Sequence, residues 1–166
     1  AEENRNFFAQ MGLTDEQIIP VKADATDLKF ENEFFDAVVS TDSYNYFGRD
    51  EKYLDEKLLP FIKKDGYIYI AVPGMKKDCH DNIHKELLLS WTPEQLDYIH
   101  DIEYWKNIVS KSQKSEIVSI YEMESNEECW NDWIECDNEY SRSDRKAIEA
   151  GACKYLNFIA IILKKK

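Results

Sequence analysis

The sequence predicts an α/β fold: an open, mostly parallel twisted sheet with helices on both faces, its last two strands able to pair antiparallel. Short continuous apolar runs recur at residues 35–40, 67–72 and 155–163, the pattern of strands covered on both faces. Between them lie stretches with apolar residues at helical spacing, and this alternation is how parallel sheets are assembled. With 166 residues, 43% of them hydrophobic and 13% aromatic, the chain is long enough for one substantial core. Residues 1–166 are therefore expected to form a single α/β domain.

Residues 2–11 read as a helix carrying Phe7, Phe8 and Met11 on one side, closed by Gly12 as a left-handed cap. Residues 18–23 read as a strand, placed at the sheet margin because Pro20 has no N–H to give a ladder. After the strand at 35–40, a helix is expected from Asp50, with Leu54, Leu58, Phe61 and Ile62 at helical spacing, a kink at Pro60, and Lys63, Lys64 and Gly66 as its stop. The strand at 67–72 should end at Pro73-Gly74. In the segment 75–100, Thr92, Pro93 and Gln95 form a helix start, and Asp101 caps a further helix carrying Trp105, Ile108 and Val109. Residues 116–121 then read as a strand, 143–152 as a helix and 155–163 as the final strand. The acidic stretch 122–144, with Trp130 and Trp133, reads as an ordered excursion from the sheet.

The balance of 33 acidic against 21 basic residues gives a net charge of −12, which repels phosphate backbones and anionic lipid surfaces. Nucleic-acid and membrane partners are not expected. No apolar run approaches a bilayer span and no signal-peptide pattern is present, so a cytoplasmic protein is expected. Cys79, Cys129, Cys136 and Cys153 include no Cys-x-x-Cys pair and read as structural thiols. Cys79, His80 and His84 can share a helical face, but nothing near them completes a ligand shell, and no metal is expected.

Two of the apolar runs end in acids and small polar residues, Asp24 after the first and Ser40 to Asp42 after the second. In open α/β sheets ligands bind outside the carboxyl ends of the strands, so these residues are candidates for a binding rim. The run Ala23-Asp24-Ala25-Thr26-Asp27-Leu28 with Phe30, then Phe35-Asp36-Ala37-Val38-Val39-Ser40, then residues 59–74 with their Lys-Lys-Asp-Gly-Tyr-Ile turn, resembles the Rossmann-like class I S-adenosylmethionine-dependent methyltransferases, especially the small-molecule branch. The resemblance covers nearly the whole chain. It implies methyl transfer from S-adenosylmethionine to a small-molecule acceptor.

By that resemblance, Asp24 accepts a hydrogen bond from the adenine amino group and the Ala25 N–H meets a ring nitrogen, an Asx-turn being the plainer alternative for Asp24. Ser40 and Thr41 pass the methionine part of the cofactor. Asp42 is the first candidate for the catalytic base and His100 the second, a solvated loop acid and a helix-flanking histidine being the alternatives. Tyr44, Tyr46, Trp91 and Trp105 are candidates for the substrate pocket, and aromatic faces beside acids suit an amine. Residues 75–100 resemble the variable segment that covers the acceptor. The family's glycine-rich first turn and ribose-binding acid would fall before Ala1. The chain is thus expected to hold about half a cofactor site, as an incomplete methyltransferase fold inactive as a fragment. A non-catalytic α/β interaction module is the competing reading.

Overall fold

The computed structural model describes residues 2–166, which divide into two compact units, Ala1–Phe30 and Glu31–Lys166, each described separately below. In the first, helix α1 (Glu2–Gln10) ends as expected at Gly12, whose φ of 79° lets the Gly12 N–H reach Ala9 O at 3.0 Å and the Leu13 N–H reach Phe8 O at 3.0 Å. The expected strand at 18–23 is not formed. Ile19 and Val21 are exposed, and no ladder pairs this stretch among the described residues. Apolar character alone does not make a strand, because its N–H and C=O groups need a partner, and Pro20 removes one donor.

The second unit is built on a four-stranded sheet: β1 (Phe35–Thr41), β2 (Ile62–Met75), β3 (Ser115–Glu122) and β4 (Leu156–Lys165), in spatial order β1-β2-β4-β3. β1 and β2 are parallel, whereas β4 runs antiparallel to both its neighbours. Between the pairs Phe35↔Ile62 and Ala37↔Tyr67 the Lys63–Gly66 stretch loops out, with Asp65 at a φ of 64°. The Lys-Lys-Asp-Gly sequence is therefore a turn inside β2.

No regular helix runs from Asp50. Leu59 N–H instead bonds Leu54 O, five residues back, giving a π-helical segment over Leu54–Leu58, and a 3-10 turn over Leu59–Phe61 follows. Pro60 explains this: without an N–H it cannot continue an α-helical ladder, so the chain widens before it and tightens after it. β2 also continues past Pro73 to Met75, pairing Pro73 with Phe158 on β4. The last β1 partner on β2 is Ala71, so the missing Pro73 donor falls where β1 asks for nothing.

Alternation along β2 and β4 separates two faces. Ile68, Ile70, Val72, Ile159, Ile161 and Leu163 are buried on one, where helix α2 (Tyr44–Phe47) contacts β2. Helix α3 (Pro93–Leu96) is one turn with the expected Thr92/Gln95 capping box, and α4 (Ile102–Ser110) is capped by Asp101, whose Oδ1 accepts the Tyr104 N–H at 2.9 Å. On the other face, α5 (Asn126–Glu135) and α6 (Glu139–Glu149) cover only the end near Met75, Leu156 and Phe158, through Trp130, Ala147 and Ile148. Helices thus reach both faces, but Val39, Tyr67 and Tyr69 on the second face remain exposed.

Candidate functional site

β1 delivers Ser40, Thr41 and Asp42 to the carboxyl end of the parallel pair. The Asp42 N–H is held by Ala71 O at 2.9 Å, after which the chain turns away with Asp42 at a φ of 49°. Aspartate tolerates this left-handed conformation better than most side chains, and strained residues of this kind gather at functional sites. Ser40 Oγ and Ser43 Oγ lie 2.9 Å apart, tying the strand end to the start of α2.

The aromatic residues that follow divide in two. Tyr44 and Trp105 were expected on a pocket wall; both are fully buried, their ring centroids 6.0 Å apart, in a cluster with Phe47 and Tyr53. A large aromatic on a short helix facing the sheet gains more by burial than by exposure. Gly48 permits this packing, since a Cβ there would lie 2.0 Å from the Tyr44 ring. Tyr46 is exposed and packs against Tyr98 at 5.2 Å, and the Arg49 guanidinium lies over the Tyr98 ring at 4.4 Å while donating to Asp97 Oδ2 at 2.9 Å.

Trp91 is half-buried, 5.9 Å from Trp130. Its segment is fixed to α6 by Ser90, whose Oγ donates to Ser143 O at 2.7 Å and accepts from the Ala147 N–H at 3.0 Å. This brings in Asp144, a residue that sequence reasoning missed. Asp144 accepts from Trp133 Nε1 at 2.9 Å, yet burial, the largest influence, pushes its carboxyl upward. Asp42 reaches solvent but is crowded by protein, and that desolvation followed by the Asp144 charge raises its carboxyl too. The Asp144 charge thus adds to the burial that already disfavours a charge on Asp42.

Both raised values act in the same sense on stability. The folded state holds protons more tightly than the unfolded chain, so their contribution is complete below the ordinary carboxylate range and is lost as pH rises through the raised values. Asp144→Asn keeps an acceptor for the Trp133 indole and removes the charge. The Asp42 carboxyl is expected to titrate at lower pH in that variant, as followed by carbon-13 NMR. An unmoved titration would mean that burial alone sets it.

His100 enters the same rim by another route. Its backbone lies parallel to β2 beyond the end of β1, where Met75 N–H donates to His100 O at 3.1 Å. Ala71 and Met75 are four residues apart, so along β2 the Asp42 and His100 attachments are separated by about 13 Å. The His100 ring stacks on Tyr104 at 3.6 Å and is 8% exposed; burial, then the neighbouring His80 and Arg49 charges, lower its basicity. Cys79 Sγ turns to Met75 Sδ and His84 stacks on Tyr155, so those two do not converge with His80.

In the first unit, Asp24 forms the Asx-turn that sequence reasoning held as its alternative: Oδ1 accepts the Thr26 N–H at 2.8 Å and the Thr26 hydroxyl at 2.7 Å, and these bonds lower its carboxyl. Both bonds fall on one oxygen. Asp24 Oδ2 has no hydrogen-bond partner among the described residues and stays available as an acceptor. Ala25 follows it directly. A separate cleft of about 310 Å³ is lined by Asn32, Glu33, Leu59, Pro60, Lys114 and Lys165, at the Ile62 end of β2 and away from the rim. Asp42 and His100 lie at the opposite end of β2 from this cleft. Among the described residues no helix is long and apolar enough to cross a membrane.

Residues 3–70 match a family model described as a methyltransferase domain. No curated protein matches the sequence. Among solved structures, the fold is similar to one described as a sarcosine dimethylglycine methyltransferase from Galdieria sulphuraria, at 15% identity and a TM-score of 0.68 over 98% of this chain. It is also similar to phosphoethanolamine N-methyltransferase 2 of Haemonchus contortus in complex with S-adenosyl-L-methionine, at 18% identity and a TM-score of 0.61 over 86% of this chain. A third similar structure is the [4+2]-cyclase SpnF, at 12% identity and a TM-score of 0.63 over 96% of this chain. The chain spans 64%, 36% and 60% of the lengths of these three proteins.

Proposed function

From the premise of a Rossmann-like class I methyltransferase fold with a methyltransferase-domain sequence over residues 3–70, we propose that the protein moves a methyl group from S-adenosylmethionine to a small-molecule amine. The observation that carries this reading is Asp42, held at the carboxyl end of β1 by its N–H bond to Ala71 O, its carboxyl raised by burial and then by the Asp144 charge. Acidic groups attract and orient a cation, and an amine acceptor arrives as one. The similar structures described as acting on sarcosine and on phosphoethanolamine lend this acceptor class support.

The residues present fit the cofactor. Asp24 keeps Oδ2 as an open acceptor suited to an exocyclic amine, and Thr41 is exposed where the β1 backbone runs out. By the sequence resemblance, Asp24 and Ala25 of the first unit would hold its adenine, and Ser40 and Thr41 of the second its methionine part. When bound, the cofactor supplies an electrophilic methyl group on a sulfonium.

The chain's own work is alignment and proton removal. Asp42, fixed by its N–H bond to Ala71, faces the acceptor and takes the ammonium proton, for which a raised carboxyl is better matched than an ordinary one. Asp144 adds to the electrostatic field that keeps the cation in place, itself positioned by Trp133. Tyr46 stands exposed on α2, four residues after Asp42, as a wall for the acceptor. His100 is not given the proton, because its Nδ1 lies toward Asp78, 4.0 Å from Oδ2.

Calorimetry of the intact protein with S-adenosylmethionine and S-adenosylhomocysteine tests the reading. Binding of both is expected, and Asp24→Ala should weaken it measurably, because the variant loses the Oδ2 acceptor. Failure of both ligands to bind would overturn the reading. Binding with unchanged affinity in the variant would remove Asp24 from the site.

A further inference from the structure

Outside the residues assigned to methyl transfer, Asp78, His80 and His100 bring one ligand atom each to within 4.8 Å of one another. We propose that these three side chains form a binding site for a divalent transition-metal ion of the zinc type, clamping the start of the 76–100 segment to its end.

The hydrogen bonding of His80 makes the first part of the argument. Its Nε2 lies 3.0 Å from Leu96 O, and a carbonyl can only accept, so Nε2 carries the proton. Nδ1 then lies 3.0 Å from Asp78 Oδ2. In a neutral imidazole that nitrogen is a bare lone pair set against a carboxylate, an arrangement that requires a cation between them. Either a second proton or a metal ion meets the requirement. A metal-binding histidine commonly donates its other N–H to a backbone carbonyl, which fixes the tautomer and turns the free lone pair toward the ion.

His100 decides between the two. A proton shared by His80 and Asp78 would need no third group, yet the buried His100 ring sits beside them, centroid to centroid 5.0 Å from His80, with Nδ1 4.0 Å from the same Asp78 oxygen. Neither of its ring nitrogens has a hydrogen-bond partner. A buried imidazole with both nitrogens unsatisfied is costly unless something coordinates it. Ligands around a zinc ion stand about 3.3 Å apart, given bonds of about 2.0–2.2 Å, so an inward shift of His100 by about 1 Å closes the shell. Two imidazoles and one carboxylate favour Zn²⁺ or Co²⁺ over Mg²⁺ or Ca²⁺, which prefer oxygen ligands alone. The exposed Asp78 side leaves a position for water.

The connectivity shows what such an ion would do. His100 is pinned to Met75 by the backbone, and the Asp78 N–H is tied to Asp101 Oδ2 at 3.2 Å. A metal on Asp78, His80 and His100 would close the base of the loop that carries Trp91.

The test is titration of chelator-treated intact protein with Zn²⁺ by calorimetry and with Co²⁺ by visible absorption. One equivalent is expected to bind, with d–d bands of a nitrogen and oxygen site and no thiolate charge-transfer band. Asp78→Asn, at an exposed position, and His80→Gln, at a half-buried one, both checked for folding by circular dichroism, should each lower Zn²⁺ affinity by more than about 100-fold, the upper cost of losing an outer partner. His100→Gln should do the same, and Cys79→Ser should bind as before. Absence of binding, a thiolate band, or affinity retained in His80→Gln would overturn the proposal, as would nitrogen-15 NMR showing His80 as an imidazolium in the presence of one equivalent of Zn²⁺.

Discussion

Trp105→Ala is expected to destabilise the second unit by about 3–5 kcal/mol, the range for deleting a large buried aromatic. Trp105 is fully buried, with Tyr44 at 6.0 Å, Tyr104 at 5.4 Å and His100 at 6.4 Å between ring centroids, and truncation would leave a cavity bounded by rings that cannot collapse into it. Against a typical total of about 5–15 kcal/mol the loss is large. Denaturant unfolding should show a lower midpoint with little change in slope. Trp105→Phe should recover most of the loss, because the indole Nε1 has no partner to forfeit. A loss under about 1 kcal/mol accompanied by weaker acceptor binding would return Trp105 to the pocket wall.

Asp42→Asn is the second large effect. The amide keeps the shape and leaves the backbone bond to Ala71 O in place, so the rim should survive while the proton acceptor is gone. Turnover with an amine acceptor is expected to fall about 100-fold, the lower end of what positioned proton transfer contributes, with cofactor affinity nearly unchanged. The pH–rate profile should lose its acidic limb in the variant. Equal losses in turnover and cofactor affinity would place Asp42 among the cofactor's contacts instead.

Local chemistry was legible where it depends on near neighbours. Gly12 ends α1 because a left-handed residue satisfies the last carbonyls, and Thr92 with Gln95 starts α3 because each caps the other's backbone. The β1 and β2 runs were readable as strands, but not as strands covered on both faces: β1 has no buried residue and β2 alternates buried with open positions. The stretch 18–23 misled, since its apolar content says nothing about whether a ladder partner is present. Pro60 was read as a kink, whereas the lost bond was absorbed by a π turn and a 3-10 turn.

The candidate site divides along the same line. Asp42 could be found as an acid ending a strand run. Asp144 had only a faint signal, an acid three and four residues before the buried Ala147 and Ile148, on a helix far away in sequence. Nothing local marks Asp78 and His100 as neighbours; Met75 joins them, by extending β2 past Pro73 and capturing the His100 carbonyl.

Composition and pattern were enough to establish an α/β chain, its acidic character and the strand end that offers Asp42, because propensity, hydrophobic period and capping act over a few residues. Which aromatics are core and which face solvent, and which acids and imidazoles meet, followed from the register of β1 on β2 and the docking of Ser90 on α6. Those contacts join residues tens of positions apart, and their energies arise from burial and desolvation that exist only once the sheet and helices have packed.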